Sequence, residues 1–371
     1  MPDFTAEQLR FLHRYGFDEL LFQSWRSRVR DGSLSRASNV VRGELRPPPP
    51  GAIRPLPDKN GNEYRDLVRL GEAAIARGEV GVVVLNGGMA TRFGGVVKGI
   101  VDALPGRSFL ALRAADVLRT QQRCGGRIDL FVMNSFATEA ATKDHFAAHD
   151  NFGLAADQVH HFNQFVAARL TPEGEVFHDE GGHISPYATG HGDFAPALRA
   201  SEVLQRFRAR GGRVLFAANV DNLGARISPL LIGMHLQSGL PMTVEVAPKW
   251  PGDVGGSPFV LDGRLQLIEQ IRYPEDFDAD MVDVFNTNTF YFDAAALDRD
   301  FDLGWHYVEK KVGNARVVQI ERLIGELTRH LDAQFVKVKR TGLDNRFLPV
   351  KTPEDLQAAR EEIAELYAEP A

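Results

Sequence analysis

A short glycine-rich segment with two cationic side chains is the part of this sequence best suited to bind an anion. Residues 85–99 read Leu-Asn-Gly-Gly-Met-Ala-Thr-Arg-Phe-Gly-Gly-Val-Val-Lys-Gly and follow the apolar run 81–84. Such a run ending in glycines predicts a buried strand followed by a tight loop. Glycines allow the backbone to approach a ligand and direct N–H groups at an anion. Together with Arg92 and Lys98, the loop predicts a site for a nucleoside triphosphate or a sugar phosphate.

The loop differs from two familiar phosphate-binding motifs. A P-loop requires Gly-Lys-Ser/Thr, whereas Lys98 is followed by Gly99. A dinucleotide fingerprint requires Gly-x-Gly-x-x-Gly, and Met89 interrupts that pattern. An ordinary turn between a strand and a helix is therefore the alternative interpretation.

Polar side chains follow several predicted strands, at the sheet edge where open parallel sheets bind ligands. These are the residues at 134–135 and 219–222, and also Asn286 and Asn288, which alternate within a strand. Asp221 is the strongest metal candidate, because Mg²⁺ beside phosphates is commonly held by one carboxylate and by waters. The alternative is that Asp221 shapes a turn or caps a helix, since Asn-Val-Asp-Asn also suits a turn.

Lys351 follows an apolar run and precedes a helix that Thr352 and Pro353 predict as N-cap and first helical residue. A helix N-terminus attracts anions, so a lysine there forms a phosphate clamp. The alternative is a solvated surface lysine.

A segment rich in glycine and histidine, residues 181–193, predicts a loop close to a ligand. It contains His183, His191 and Asp193. A zinc site is the rival interpretation, but zinc needs three or four convergent ligands, and helical HExxH spacing is absent. The one cysteine, Cys124, excludes an intramolecular disulfide and a cysteine-based metal site.

Predicted strands and helices alternate along most of the chain. The strands are 81–86, 129–133, 213–218, 241–246 and 284–292, and the helices are 64–78, 108–123, 138–149, 193–210 and 227–238. This alternation predicts an α/β fold with a mainly parallel sheet covered by helices on both faces. Within 258–269, two apolar runs flank Asp262-Gly263 and predict an inserted hairpin with a type I′ turn.

The N-terminal part is predicted to be a helical arm joined by a linker. Residues 5–30 have helical spacing, and Thr5 with Gln8 predicts a capping box. The segment 46–51 contains a proline run, which predicts a stiff, extended spacer. We therefore divide the sequence into an arm with a proline-rich linker at 1–60 and a main domain at 61–371.

The composition is ordinary for a soluble globular protein, with 44% hydrophobic and 25% charged residues. The net charge of −6 argues against a nucleic-acid partner. No run approaches the ~20 apolar residues of a membrane helix, and the N-terminus lacks the features of a signal peptide. We expect a cytoplasmic protein with no membrane partner, and nothing in the sequence specifies an oligomeric state.

Several ordered segments between about residues 81 and 357 together resemble the UTP–glucose-1-phosphate uridylyltransferases (UDP-glucose pyrophosphorylases) of the eukaryotic type. The segments are Leu85-Asn86-Gly87-Gly88, Met133-Asn134-Ser135-Phe136, Phe162-Asn163-Gln164, Gly190-His191-Gly192-Asp193, Asn219-Val220-Asp221-Asn222-Leu223-Gly224, Glu245-Val246-Ala247-Pro248-Lys249 with Asp253-Val254-Gly255-Gly256, Phe285-Asn286-Thr287-Asn288 and Arg346-Phe347-Leu348-Pro349-Val350-Lys351-Thr352. Each is weak alone, but their common order is a strong signal.

The resemblance implies a nucleotide-diphospho-sugar transferase fold, with a Rossmann-like mixed, mainly parallel sheet and 61–371 as the nucleotidyltransferase domain. It implies Mg²⁺-dependent conversion of UTP and glucose 1-phosphate to UDP-glucose and pyrophosphate. Two alternatives stay open. One is the same chemistry on another sugar 1-phosphate, such as that of galactose or N-acetylglucosamine, and the other is a catalytically silent protein that binds nucleotide sugars.

The resemblance also implies a role for each matched residue. The residues expected to contact the nucleotide are Leu85, Gly87 and Gly88, with Gln164 and Gly190 at the uracil edge. Those expected around the sugar or its phosphate are His191, Asn219, Glu269, Asn286 and Asn288. Asp221 is expected to hold Mg²⁺, and the lysines expected to neutralise phosphates are Lys98, Lys249 and Lys351.

The chain departs from the family pattern at three places. Ala90 stands where the family usually has glycine, and Lys98 lies one residue early without a preceding proline. Either Lys98 is the catalytic lysine of a reshaped loop, or Arg92 takes part of that role. The segment 170–189 has no clear match. The sequence also stops soon after the predicted helix near Leu356, so we expect the C-terminal β-helical domain of the eukaryotic relatives to be missing.

Overall fold

The structure is a computed structural model that describes residues 3–90 and 93–368. The α-helices are α1 (Ala6–Arg14), α2 (Glu19–Arg30), α3 (Arg36–Asn39), α4 (Asn62–Ala76), α5 (Phe109–Cys124), α6 (Glu139–Ala148), α7 (Phe194–Ala200), α8 (Val203–Ala209), α9 (Pro229–Ser238) and α10 (Pro353–Leu366). Among the described residues, no helix has both the length and the apolar composition that a membrane crossing requires.

The β-strands are β1 (Ile53–Pro55), β2 (Val80–Leu85), β3 (Met89–Ala90), β4 (Val96–Val97), β5 (Asp102–Leu104), β6 (Arg107–Ser108), β7 (Asp129–Asn134), β8 (Val159–Asn163), β9 (Val166–Ala168), β10 (Pro186–Ala188), β11 (Val214–Asn219), β12 (Met242–Pro248), β13 (Ser257–Leu261), β14 (Arg264–Ile268), β15 (Val284–Asp293), β16 (His306–Val312), β17 (Ala315–Glu321) and β18 (Ala333–Lys337).

A mixed, mainly parallel sheet forms the centre of the fold, with the strand order β1-β18-β12-β15-β11-β2-β7-β8. Only β15 runs antiparallel to its neighbours β11 and β12 within this sheet. The predicted α/β fold with a mainly parallel sheet is therefore confirmed. Strands β1, β8 and β18 were not predicted, because they are short and their apolar patterns are weak.

The centre of the sheet is buried on both faces, which explains why β2, β7 and β11 are nearly continuous apolar runs. Val82 and Val84 of β2 pack into one hydrophobic cluster, and Val83 and Leu85 pack into another. This alternation follows from the period of two along a strand. The register places Leu85 beside Asn219 on one side and beside Met133 on the other, so the carboxyl ends of three strands meet at one edge.

Two predicted helices are each divided into two. The segment 5–30 forms α1 and α2, separated at Gly16, which has a φ of 71°. The segment 193–210 forms α7 and α8, separated at Glu202, which has a φ of 59°. Positive φ is incompatible with a right-handed helix, and apolar periodicity does not report such a local break. The capping box of Thr5 and Gln8 is confirmed.

The predicted hairpin is confirmed as β13 and β14, with φ values of 52° at Asp262 and 76° at Gly263. Positive φ at both positions is the requirement of a type I′ turn.

The N-terminal helices pack on the same chain, because Phe22 and Trp25 share a hydrophobic cluster with Val318 of β17. Residues 53–55 join the central sheet as β1, beside β18. The domain boundary at residue 60 stays a prediction.

Candidate active site

A cavity of about 530 Å³ opens where β2, β7 and β11 end. It brings together ten of the predicted site residues, which are Leu85, Gly87, Gly88, Lys98, Gln164, Gly190, His191, Asn219, Asp221 and Lys351. A neighbouring cavity of about 490 Å³ shares Asn219, Asp221 and Lys351 and adds Asn286 and Asn288. The two cavities therefore form one cleft with Asp221 at its middle.

The glycine loop after β2 lies against the side chain of Gln164. A Cβ atom added to Gly87 would lie 1.7 Å from Oε1 of Gln164, so a larger residue there would displace the Gln164 side chain. Asn86 anchors the start of the loop, because its Nδ2 donates to Oδ1 of Asn134 over 3.0 Å. Gln164 is itself held through its backbone N–H, which donates to the carbonyl of Asn134 over 2.8 Å. The side-chain amide of Gln164 lines the cavity and is available to a ligand.

His191 is neutral and presents a defined tautomer. Its Nδ1 accepts a hydrogen bond of 3.0 Å from the backbone N–H of Ile324. Burial lowers the pKa of His191 to about 4, so the ring is uncharged at neutral pH. With Nδ1 accepting, the proton lies on Nε2, and that nitrogen is a donor.

Asp221 faces two lysines. Burial raises the pKa of Asp221, and Lys98, Lys351 and Arg113 oppose that rise. Lys98 is only 7% exposed, and its Nζ has no hydrogen-bond acceptor within residues 3–90 and 93–368. Its ammonium lies over the ring of Phe93, 3.7 Å from the centroid, and burial lowers its pKa. Lys351 is exposed at the start of α10, where Thr352 is the predicted N-cap and Pro353 the first residue.

A chain of hydrogen bonds connects the polar residues on the other side of the cleft. Nδ2 of Asn288 donates to Oδ1 of Asn219 over 2.8 Å, and the backbone N–H of Asn288 donates to Oδ1 of Asn286 over 2.8 Å. Nδ2 of Asn286 donates to Oε1 of Glu269 over 3.2 Å. Burial raises the pKa of Glu269 to about 7. Glu269 thus does not line either cavity, but its carboxylate is hydrogen-bonded to Asn286, which does.

A β-bulge produces this arrangement. The pairing of β12 with β15 shifts register between Glu245 and Val246, opposite residues 286–289 of β15. Asn288 lies at the shift with a φ of 54°, an uncommon value for a residue other than glycine. Bulges redirect side chains near binding sites. Simple alternation along a strand could not have predicted this change.

Lys249, a predicted cationic ligand, is not among the residues that line the two cavities. Nζ of Lys249 donates to the carbonyl of Ala279 and lies 3.6 Å from Oδ1 of Asp280. Arg92 lies outside the described residues, so its role stays a prediction, as does that of Lys249.

His183 is 78% exposed and pairs with Asp179. Within the described ranges, no three His, Cys, Asp or Glu side chains converge as a metal site of their own.

Sequence reasoning missed the residues that hold the Asp221 loop in place. Arg113 of α5 is buried and donates to the carbonyls of Asn219, Asn222 and Ala225. The side chain of Asn222 joins this loop to the segment before Lys351, because its Oδ1 accepts from the backbone N–H of Leu348 over 2.8 Å. The sequence did contain one signal for Arg113, because this charged residue lies among apolar residues of the predicted helix 108–123.

This chain is similar to known proteins over most of its length. The family model of UTP–glucose-1-phosphate uridylyltransferase matches residues 49–369. The UTP–glucose-1-phosphate uridylyltransferase of Musa acuminata is 30% identical over 75% of this chain and 62% of its own length. That of Saccharomyces cerevisiae is 28% identical over 78% of this chain and 60% of its own length. The chain therefore spans less than two thirds of these relatives.

Solved structures show the same fold. The uridine diphosphate N-acetylglucosamine pyrophosphorylase of Trypanosoma brucei superposes with a TM-score of 0.80 at 22% identity, covering 97% of this chain and 79% of that one. A UDP-glucose phosphorylase of the same organism gives a TM-score of 0.77 at 23% identity, covering 95% and 77%. At such identities the likeness establishes the nucleotidyltransferase-type architecture and no more.

Proposed function

The chain belongs to the UTP–glucose-1-phosphate uridylyltransferase family, and we propose that it forms UDP-glucose and pyrophosphate from UTP and glucose 1-phosphate. A phosphate oxygen of the sugar phosphate attacks the α-phosphorus of UTP. The bond from that phosphorus to the bridging oxygen of the β-phosphate breaks, and pyrophosphate leaves with the electron pair. The observation that carries the proposal is the cleft itself, which joins a glycine loop, Gln164 and His191 to Asp221 and two lysines.

The nucleotide occupies the half of the cleft that contains the glycine loop. Gly87 and Gly88 leave room for the backbone to approach the nucleotide closely. The free amide of Gln164 offers a donor and an acceptor to the uracil edge, beside the backbone at Gly190. These roles follow from the resemblance and are supported by the placement of all four residues around one cavity.

The sugar phosphate occupies the other half, where Asn219, Asn286 and Asn288 offer amides held by the hydrogen-bond chain described above. His191, which lines the half with the glycine loop, offers its Nε2–H as a further, neutral donor. Such a preorganised set of donors binds hydroxyl and phosphate oxygens without ordering new side chains. The same set would accept more than one sugar, so we base the choice of glucose on the family.

Asp221 is suited to hold a magnesium ion. It is a carboxylate at the junction of the two cavities, and Mg²⁺ is usually bound by one or two carboxylates together with substrate phosphates and waters. Burial raises its pKa although Lys98, Lys351 and Arg113 oppose that rise, and a further cation beside the carboxylate would favour the charged form. A bound Mg²⁺ would stabilise negative charge on the transferring phosphate.

Lys98 and Lys351 stabilise the charge that develops on the α-phosphate and on the departing pyrophosphate. This type of transfer needs little covalent participation by the protein, and positioning with charge stabilisation accounts for most of the catalysis. The half-buried site strengthens each of these interactions, because water screens them less. No nucleophilic side chain is required.

Pyrophosphate release tests the proposal. The purified chain is incubated with Mg²⁺, UTP and one of glucose 1-phosphate, galactose 1-phosphate or N-acetylglucosamine 1-phosphate, and the other nucleoside triphosphates serve as controls. We expect release with UTP and glucose 1-phosphate. Release only with another sugar would retain the chemistry and overturn the choice of glucose. Binding of UTP without release with any sugar would identify a catalytically silent nucleotide-binding protein.

A further inference from the structure

Asp193 is a buried carboxylate that the proposed reaction does not use. It ends the motif Gly190-His191-Gly192-Asp193 and precedes α7, and it is 0% exposed. It does not line the cleft. A buried carboxylate is costly unless it is paired and hydrogen-bonded, so its retention at this place requires partners that hold it.

Three donors surround Asp193. Its Oδ2 accepts from the backbone N–H of Phe165 over 3.0 Å and from Oγ1 of Thr189 over 2.7 Å. Its Oδ1 accepts from Nε of Arg322 over 2.6 Å. All three groups can donate to the carboxylate, and the Thr189 hydroxyl also lies 3.4 Å from the carbonyl of Phe165. Burial raises the pKa of Asp193, and Arg322 and the Thr189 hydroxyl oppose that rise. An amide in its place would direct an N–H₂ group at one of these donors.

These donors come from the residues next to the two that face the nucleotide. Phe165 directly follows Gln164, and Thr189 directly precedes Gly190. The two segments are joined further, because the backbone N–H of Thr189 donates to the carbonyl of Phe165 over 3.1 Å. Asp193 therefore connects the segments that carry Gln164 and Gly190 from behind the cavity wall.

Arg322 extends the same connection to a third segment. Its backbone N–H donates to the carbonyl of Thr189 over 3.0 Å, and its carbonyl accepts from Gly192 over 2.9 Å. A Cβ atom on Gly190 would lie 2.4 Å from that carbonyl, and Gly190 has a φ of 97°. The backbone at Gly190 is thus fixed against Arg322, and the Arg322 guanidinium is fixed against Asp193.

We propose that Asp193 is a positioning residue that sets the separation of Gln164 and Gly190 and thereby the preference for uracil over cytosine. The inference rests on the proposed function, because it requires that these two residues contact the base. Uracil and cytosine differ in the donor and acceptor at one edge of the ring. A small displacement of Gln164 relative to Gly190 would therefore reduce the preference for UTP over CTP. It would have a smaller effect on the affinity that comes from the phosphates, which both nucleotides share.

The test uses a mild substitution with a matched control. Thr189→Val removes the hydroxyl donor to Asp193 while keeping the shape of a side chain that is 2% exposed. Thr243→Val makes the same change at a buried threonine whose hydroxyl bonds His235 and Gln334, away from both cavities. Asp193→Asn is the stronger perturbation, but breaking a buried ion pair can prevent folding. Thr189→Val therefore keeps the test decisive.

Binding of UTP and of CTP is measured by titration calorimetry in the presence of Mg²⁺, together with kcat and KM for pyrophosphate release. We expect Thr189→Val to reduce the ratio of UTP to CTP affinity by about fivefold, the effect of one hydrogen bond. Its kcat should change by less than about threefold, as for a loss of binding shared by ground and transition states. Thr243→Val should leave the ratio unchanged.

An unchanged ratio in folded Thr189→Val would overturn the positioning role, and so would an equal fall in Thr243→Val. The failure of the proposed function is distinct from both. If the unchanged protein binds UTP and CTP equally, then Gln164 and Gly190 do not read the base and the positioning role is wrong, whereas pyrophosphate release from UTP and glucose 1-phosphate still decides the proposed function. If it discriminates between them but releases no pyrophosphate, the positioning role is still decided by the calorimetric ratio.

Discussion

Replacing Lys98 by methionine should remove most of the activity with little or no loss of stability. Most substitutions of buried residues destabilise, so this combination is a specific expectation. It follows from a lysine that is 7% exposed and whose ammonium has no acceptor among the described residues. Methionine keeps an unbranched chain in the space between Phe93 and Phe109 and removes the charge.

The magnitude follows from three opposing contributions. An unsatisfied buried polar group costs about 1–3 kcal/mol, and its removal stabilises the fold. Loss of the contact with the Phe93 ring costs about 1–2 kcal/mol, and loss of the attraction to Asp221 opposes the gain further. The net change in the free energy of unfolding should therefore lie between about −1 and +2 kcal/mol, where positive values favour Lys98→Met.

Activity should fall for a different reason. If Lys98 stabilises charge on the transferring phosphate, its loss costs about 3–4 kcal/mol in the transition state, or a factor of about 10²–10³ in kcat. Lys351→Met is the matched control, because Lys351 lines the same cavity but is exposed. It should lose a similar amount of activity with no gain in stability.

Urea unfolding and pyrophosphate release measure the two quantities on the same preparations. A loss of more than about 1 kcal/mol of unfolding free energy in Lys98→Met would show that the ammonium has a partner that stabilises it. A fall in kcat of less than about tenfold would show that Lys98 is peripheral and would favour Arg92 as the cation of this loop.

Three further predictions test other parts of the cleft. Asp221→Asn should reduce turnover by at least about 10³-fold at every Mg²⁺ concentration while leaving the unfolding midpoint unchanged, and near-normal rates at saturating Mg²⁺ would refute its metal role. Gly87→Ala should lower both the thermal midpoint and UTP affinity, because its Cβ would displace Gln164, whereas Gly88→Ala, whose Cβ meets no atom within 4 Å, should leave the midpoint unchanged. Glu269 has a pKa of about 7 when folded against 4.5 as its ordinary value, so its contribution to stability is complete below about pH 4.5 and is lost as the pH rises through 7. Urea unfolding at pH 5 and 7.5 should show that Glu269→Gln reduces the fall in unfolding free energy between these two pH values. An unaltered pH dependence would contradict the raised pKa of Glu269.

The sequence was sufficient to predict the central strands and the residues at their ends. Those strands are long apolar runs, and turn residues such as the glycines after Leu85 mark where they stop. Once the sheet is mainly parallel, the ends of its strands must meet at one edge. Asn219, Asp221 and the glycine loop are therefore predicted to meet at this edge, and the structure brings them together.

Features that depend on contacts distant in sequence could not be predicted in this way. The bulge at Asn288 arises from pairing between β12 and β15, and nothing local to β15 signals it. The clamp from Arg113 to the carbonyls of the Asp221 loop requires knowing that α5 packs behind that loop. Lys249 was placed by a motif, yet its ammonium bonds the carbonyl of Ala279 and lies near Asp280.

The pairing of β1 with β18 has a consequence for synthesis of the chain on the ribosome. Ile53 pairs with Phe335, so one edge of the central sheet closes only after the chain has been translated as far as β18. Until β18 emerges, β12 lacks its parallel neighbour and has an open edge, which is a template for association with other chains. Nascent chains that end before Ala333 should therefore depend on chaperones, and folding of the sheet should be slow, because its pairings are long-range.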